Sequence, residues 1–231
     1  MTAGAIAARS PWLVVFGGLP GVGKSAIAQQ LVAQCGAVYL RIDTIEQALR
    51  DSGMLAGDVG AAGYLAAYAL ARSNLHHGLT VVADCVNPLP VTRQAWRDVA
   101  AHAGSRVLEI EVICSDQGLH RQRVETRQSE VPGLRLPEWA SVLAHDYAAW
   151  TQPHLLLQCS AEPGAGGGGN HCTPGWLDGH LVVERRAVAG RRGAQAARQA
   201  AVVRRPGHVR TTSHPLIRAV RRAHALSGMA R

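Results

Sequence analysis

The chain has 231 residues, 47% of them hydrophobic and only 17% charged, which gives one ordinary domain with a sizeable core plus an appendage. Its formal charge of +8 is concentrated at one end: residues 1–157 hold 11 Arg and one Lys against 13 acidic residues, a net of −1, whereas residues 158–231 hold 12 Arg against three acids, a net of +9. A near-neutral main domain gives no electrostatic case for nucleic acid as an obligatory partner, and leaves it only to the basic tail.

In chain order, Leu13–Phe16 reads as a buried first strand that opens onto a run of glycines. Gly18-Leu19-Pro20-Gly21-Val22-Gly23-Lys24-Ser25 fits G-x-x-x-x-G-K-[ST] in full and leads into a helix from about Lys24 to Cys35, with Gly36 as its C′ residue. Glycines at these positions let backbone N–H groups wrap a phosphate at a helix N-terminus. Residues Gly18 to Ala26 are therefore expected to bind ATP, with Lys24 bridging the β- and γ-phosphates and Ser25 ligating Mg²⁺. Lys24 is also the only lysine in the chain, kept where a compact ammonium on a flexible stem suits the chemistry.

Val38–Ile42 reads as a second strand that ends at Asp43, and Thr44 with Gln47 fits a capping box for a short helix through Leu49. Ser52–Gly60 is a glycine-rich loop, Ala61–His77 a helix closed by Gly78, and Thr80–Ala83 a third strand ending at Asp84. Carboxylates at two strand ends of one parallel sheet face a common crevice. Asp84 is read as a metal-side acid, with capping of the next turn as its alternative. Asp43 is read as the base or orienter of an acceptor hydroxyl, with N-capping as its alternative. Asn87, three residues after Asp84, is either a substrate contact or a turn residue before Pro88.

A helix from about Val91 to Ala103 carries Arg93, a further candidate substrate contact. Val107–Cys114 alternates as a fourth strand. A polar helix over about Asp116–Gln128 places Arg123 and Arg127 at i,i+4 on one face. Together with the Pro/Gly loop that follows, those arginines read as a lid over a transferring phosphoryl group, or else as a solvated face in which Glu125 pairs nearby. Pro137 suits position N1 of the next helix, and His154–Leu157 is a fifth strand. This alternation of strands and helices predicts an α/β fold with a parallel sheet over residues 1–157. From residue 158 the chain turns Gly- and Arg-rich, apart from short amphipathic pieces such as Gly179–Val188, and is expected to be disordered or the product of a shifted reading frame.

The five cysteines form no CxxC pair and no zinc-like spacing, so reduced structural thiols are expected. No apolar targeting segment precedes Pro11, and the longest apolar run, Ala61–Ala71, is too short to cross a bilayer, so a cytoplasmic protein with no membrane partner is expected.

The glycine-rich loop, "RID" at Asp43, "VVADCVN" around Asp84 and "HRQRVETR" ahead of a Pro-rich lid resemble the small P-loop kinases, over about residues 12–157. That group includes adenylylsulfate, gluconate and shikimate kinases, chloramphenicol phosphotransferase, polynucleotide 5′-kinases and zeta-type toxins, and shades into kinases described as AAA-family ATPases. The resemblance implies five parallel strands in the order 2-3-1-4-5, with ATP and Mg²⁺ as cofactors. It also implies transfer of the γ-phosphate to a hydroxyl of a small-molecule or nucleotide-like acceptor. A non-catalytic ATP-binding protein, and a polynucleotide 5′-hydroxyl kinase with a basic tail, are the rival readings.

Overall fold

In the computed structural model, which describes residues 10–55, 57–159 and 181–186, the sheet is built around β1 (Trp12–Gly17), every residue of which is buried. Its alternation sends Trp12, Val14 and Phe16 to one face and Leu13 and Val15 to the other. On the first face pack Ile27, Ala28 and Leu31 of α1 (Lys24–Cys35). On the second pack Ala67, Ala71 and Leu75 of α3 (Ala62–His76), with Trp96 and Val99 of α4 (Pro90–His102). Trp96 is fully buried and meets Tyr68 edge-on at 4.6 Å.

β1 pairs in parallel with β3 (Val81–Asp84) on one side and β4 (Arg106–Cys114) on the other. β2 (Val38–Arg41) flanks β3, and β5 (His154–Cys159) flanks β4, also in parallel. These five strands run in the expected order 2-3-1-4-5. The expected five-stranded sheet nevertheless gains a sixth member. β6 (Leu181–Arg186) lies antiparallel on β5, within the stretch read as lacking structure. Its Leu-Val-Val start has high strand propensity, and β5 would otherwise present an unpaired edge. The rest of the expected disordered or frame-shifted tail lies outside the described residues.

Three local expectations are corrected. α2 (Ile42–Asp51) begins directly after β2, with Arg41 as an N-cap that makes no side-chain cap. Asp43 therefore stands in the first helical turn rather than at a strand end, where its charge complements the helix dipole, and the capping box at Thr44 does not form. α5 (Gln117–Thr126) ends one residue before Arg127, which is its extended C-cap at φ −67°, ψ 147°. α6 (Trp139–Leu143) is capped at Glu138, so Pro137 precedes the helix instead of opening it. Cys35, Cys85 and Cys114 are free thiols, and among the described residues no helix is long and apolar enough to cross a membrane.

Arg93, a candidate substrate contact by sequence, turns its guanidinium to backbone carbonyls. It is 3% exposed, and four donations engage it: Nε to Asn87 O at 3.0 Å, Nη1 to Ala149 O at 3.0 Å, and Nη2 to Pro88 O at 2.8 Å and Ala148 O at 2.6 Å. The guanidinium also lies 4.3 Å from the Trp150 ring. It thus fastens residues 148–150 to the turn after β3. Arg93→Ala orphans these carbonyls and opens a void, and is expected to lower stability by about 3 kcal/mol. A urea titration reads this as a lower midpoint; an unchanged midpoint would count against the clamp.

Candidate active site

The phosphate-loop residues take the shape that their glycines permit. Gly18, Gly21 and Gly23 stand at φ 132°, 86° and 99°. A Cβ on Gly18 would lie 2.2 Å from Val112 O, and one on Gly21 would lie 2.5 Å from Val124 Cγ2 of α5. The loop is therefore wedged between β4 and α5, and is anchored to β3's exit by Gly18 N–H donating to Val86 O at 2.9 Å. Lys24, the first residue of α1, is 8% exposed and its Nζ donates to Leu19 O at 2.9 Å. Burial lowers its pKa, against the opposing pull of the Asp84 and Asp43 carboxylates.

Asp84 lies in register with Phe16 of β1 and with Arg41 of β2, one strand from the loop's entry. It is 3% exposed, and its Oδ2 accepts a hydrogen bond from Tyr39 Oη at 2.7 Å. Burial and then the Asp84 charge push the Tyr39 hydroxyl's pKa far up, so that hydroxyl remains a donor. Arg41, which the sequence reading passed over, joins the two expected carboxylates. Its Nε stands 3.7 Å from Asp43 Oδ2 and 3.9 Å from Asp84 Oδ2. Its Nη1 donates to Glu130 Oε2 at 2.9 Å, and the same oxygen accepts from Gln29 Nε2 of α1 at 2.9 Å.

Arg127 joins this group. Burial lowers its pKa, while Asp43 pulls it up and Arg41 pushes it down. Lys24 and Arg127 each feel the charge of Asp43, and Lys24 that of Asp84 as well. Arg123 lies on α5 near Cys114 at the end of β4, whose thiol burial pushes up and Arg123 pulls down. Asn87 is fully buried at φ 50°, with its N–H donating to Tyr64 Oη at 2.9 Å and its Oδ1 accepting from Thr92 Oγ1 at 2.9 Å. Its side-chain Nδ2 makes no hydrogen bond.

His120 is a second residue missed from sequence. Its Nε2 lies 2.8 Å from Pro20 O, so that nitrogen carries the proton and α5 is tied to the phosphate loop. Its ring meets Trp139 of α6 edge-on at 5.0 Å. A cradle of glycine N–H groups, a lysine and a helix N-terminus suits a triphosphate. The Ser25 hydroxyl and the Asp84 carboxylate are hard oxygen donors of the kind that hold Mg²⁺ together with phosphates, rather than a full protein cage.

A family model described as an AAA domain matches residues 13–144. Uncharacterized proteins of Mycobacterium tuberculosis and Mycobacterium bovis are each 31% identical over 109 residues. The match takes in 42% of this chain and 22% of theirs, so the chain spans about a fifth of the length of the curated relatives it matches. Among solved structures, an APS kinase of Mycobacterium tuberculosis in complex with AMPPNP and APS is 22% identical, with a TM-score of 0.50 over 67% of this chain and 91% of that one. A sugar kinase from Janibacter sp. HTCC2649 is 16% identical, with a TM-score of 0.47 over 64% and 85%. The fold is that of the small P-loop kinases.

The two kinds of glycine site give a graded expectation. Gly18→Ala meets both a forbidden φ and a backbone oxygen at 2.2 Å, and is expected to cost about 3 kcal/mol or more. Gly36→Ala, with nothing within 4 Å of its Cβ, should cost only about 1 kcal/mol. Equal shifts of the two urea midpoints would contradict the wedged loop.

Proposed function

The chain belongs to the AAA domain family, and from that premise we propose that it is an ATP-dependent kinase, transferring the γ-phosphoryl group to a hydroxyl of a small-molecule or nucleotide-like acceptor. The observation that carries this reading is the flanking of Asp43 and buried Asp84 by one guanidinium, Arg41's, with Asp84 in register one strand from the phosphate loop that holds Lys24. A structural phosphate loop would need no second carboxylate beside it. The kinase that shares the fold was captured with an ATP analogue, which supports an adenine nucleotide as donor.

The backbone N–H groups of Gly18–Ala26 would hold the phosphates, and Ser25 Oγ with Asp84 would hold Mg²⁺. When bound, MgATP supplies a phosphorus that bonds to the acceptor oxygen as its bond to the bridging oxygen breaks and ADP departs. Lys24 exchanges Leu19 O for phosphate oxygens, and its buried ammonium then acts at low dielectric. Asp43, half-exposed where Asp84 is buried, faces the side from which an acceptor arrives. It orients the hydroxyl and takes its proton on a carboxylate oxygen. Arg127 balances charge that builds on the transferring group. The His120 contact keeps the lid helix seated on the loop, so that water is kept from it.

Lys24→Ala is expected to lower phosphotransfer by about 10²–10³-fold, the scale of one charged clamp, and to weaken binding of an ATP analogue. Asp43→Asn should lower kcat with little change in analogue affinity. Labelled ATP incubated with a panel of hydroxyl-bearing metabolites measures both. Retained analogue binding with no transfer to any acceptor would favour a non-catalytic ATP-binding protein instead.

A further inference from the structure

Two guanidinium donors in the site lack the partner that their burial calls for. Arg41 has a side chain only 14% exposed, and its Nε is buried without a hydrogen bond, both flanking carboxylates being too far to accept one. Arg127 Nε is likewise buried and makes no hydrogen bond. The two arginines feel each other's charge and share Asp43 as a neighbour. A buried charged donor left unsatisfied is costly, and in a crevice it marks a place that a ligand completes.

What does reach Arg41 is a side chain from the lid. Glu130 is 62% exposed, lies beyond α5, and places one carboxylate oxygen on Arg41 Nη1 at 2.9 Å and on Gln29 at 2.9 Å. An exposed glutamate gains little from a single ion pair, since it stays well solvated when released. Arg41 ends β2, two strands from β1, so its backbone stands about 10 Å from the strand that delivers the phosphate loop, while its guanidinium reaches back to Asp84 on the strand between. Asp43 lies between the two regimes, beside Arg41 and in the field of Lys24.

We propose that Arg41, assisted by Arg127, is the specificity determinant for an acceptor bearing an anionic group (carboxylate, phosphate or sulfate) a few ångströms from its reacting hydroxyl, and that Glu130 occupies this anion subsite until the acceptor displaces it. The proposal rests on the kinase reading and names the substrate class for that site. A planar fork such as guanidinium binds such groups through two parallel N–H donors, and the unused Nε supplies one of them. Glu130 then acts as an internal stand-in, which couples arrival of the acceptor to movement of the lid. Neutral polyols, having no charge to exchange for Glu130, are poor acceptors on this account.

The test uses the full chain saturated with Mg-AMPPNP and titrated with sodium sulfate or sodium acetate at ionic strength held constant with chloride, with Tm as readout. Glu130→Gln, an exposed and conservative change, removes the stand-in charge. It is expected to tighten the apparent binding of at least one anion by about tenfold relative to the unaltered chain. Arg41→Lys added to Glu130→Gln should abolish that gain. A response confined to sulfate assigns a tetrahedral group, and one confined to acetate a carboxylate; both support the subsite. No gain in Glu130→Gln, or an undiminished gain when Arg41→Lys is added, overturns it. Failure of AMPPNP itself to raise Tm in any of the chains would instead sink the ATP reading, and the subsite with it.

Discussion

The site depends on the parallel register of β2, β3 and β1. Aligning Arg41 with Asp84, and Asp84 with Phe16, sets three strand exits side by side, each one peptide unit from chemistry. A slip of one residue would turn Asp84 to the opposite face of the sheet, away from its partners. The register in turn is held by burial on both faces: Val81, Val82 and Ala83 are wholly inaccessible, and contribute to two separate apolar layers. Hydrophobic packing thus fixes the positions of polar atoms that it never touches.

Two kinds of buried arginine stand in contrast, one closed by backbone carbonyls and one with an open donor. Around Arg93 every engaged nitrogen meets a carbonyl, and two aromatic rings cover the cation. Glu111 accepts from Tyr147 Oη at 3.2 Å and lies 3.1 Å from His154 Nε2, which extends the same closed network towards β5. Around Arg41 and Arg127 the opposite holds, since both Nε atoms lack acceptors. That contrast sets a fastening arginine apart from the pair beside Asp43.

The sequence made the phosphate loop, the strand order of the parallel sheet and most element boundaries legible, because glycines, short apolar runs and chain alternation report local physics. Asp84 was legible for the same reason, as a carboxylate closing an apolar strand. Arg41, Glu130 and His120 were not, since their roles come from neighbours 89 to 100 residues away in sequence. The backbone partners of Arg93 were not legible either, because an arginine near a site looks alike whether its donors face a ligand or backbone carbonyls. Asp43 was placed at a strand end because Ile42 extends the β2 pattern. The chain instead turns straight into a helix at that residue. The sixth strand, too, offers only a three-residue apolar run as its local signal, and pairing with β5 completes it.

The burial of Lys24 has a consequence for handling the molecule. The chain's single lysine side chain sits at 8% exposure beneath the loop, so its surface offers acylating reagents no other ε-amine within the described residues or beyond them. An isotope or fluorophore delivered by reductive methylation or acylation therefore reports on one side-chain amine, apart from the chain's α-amino group. Access to it records the opening of the loop itself, and the arginine-rich surface remains chemically silent in the same reaction.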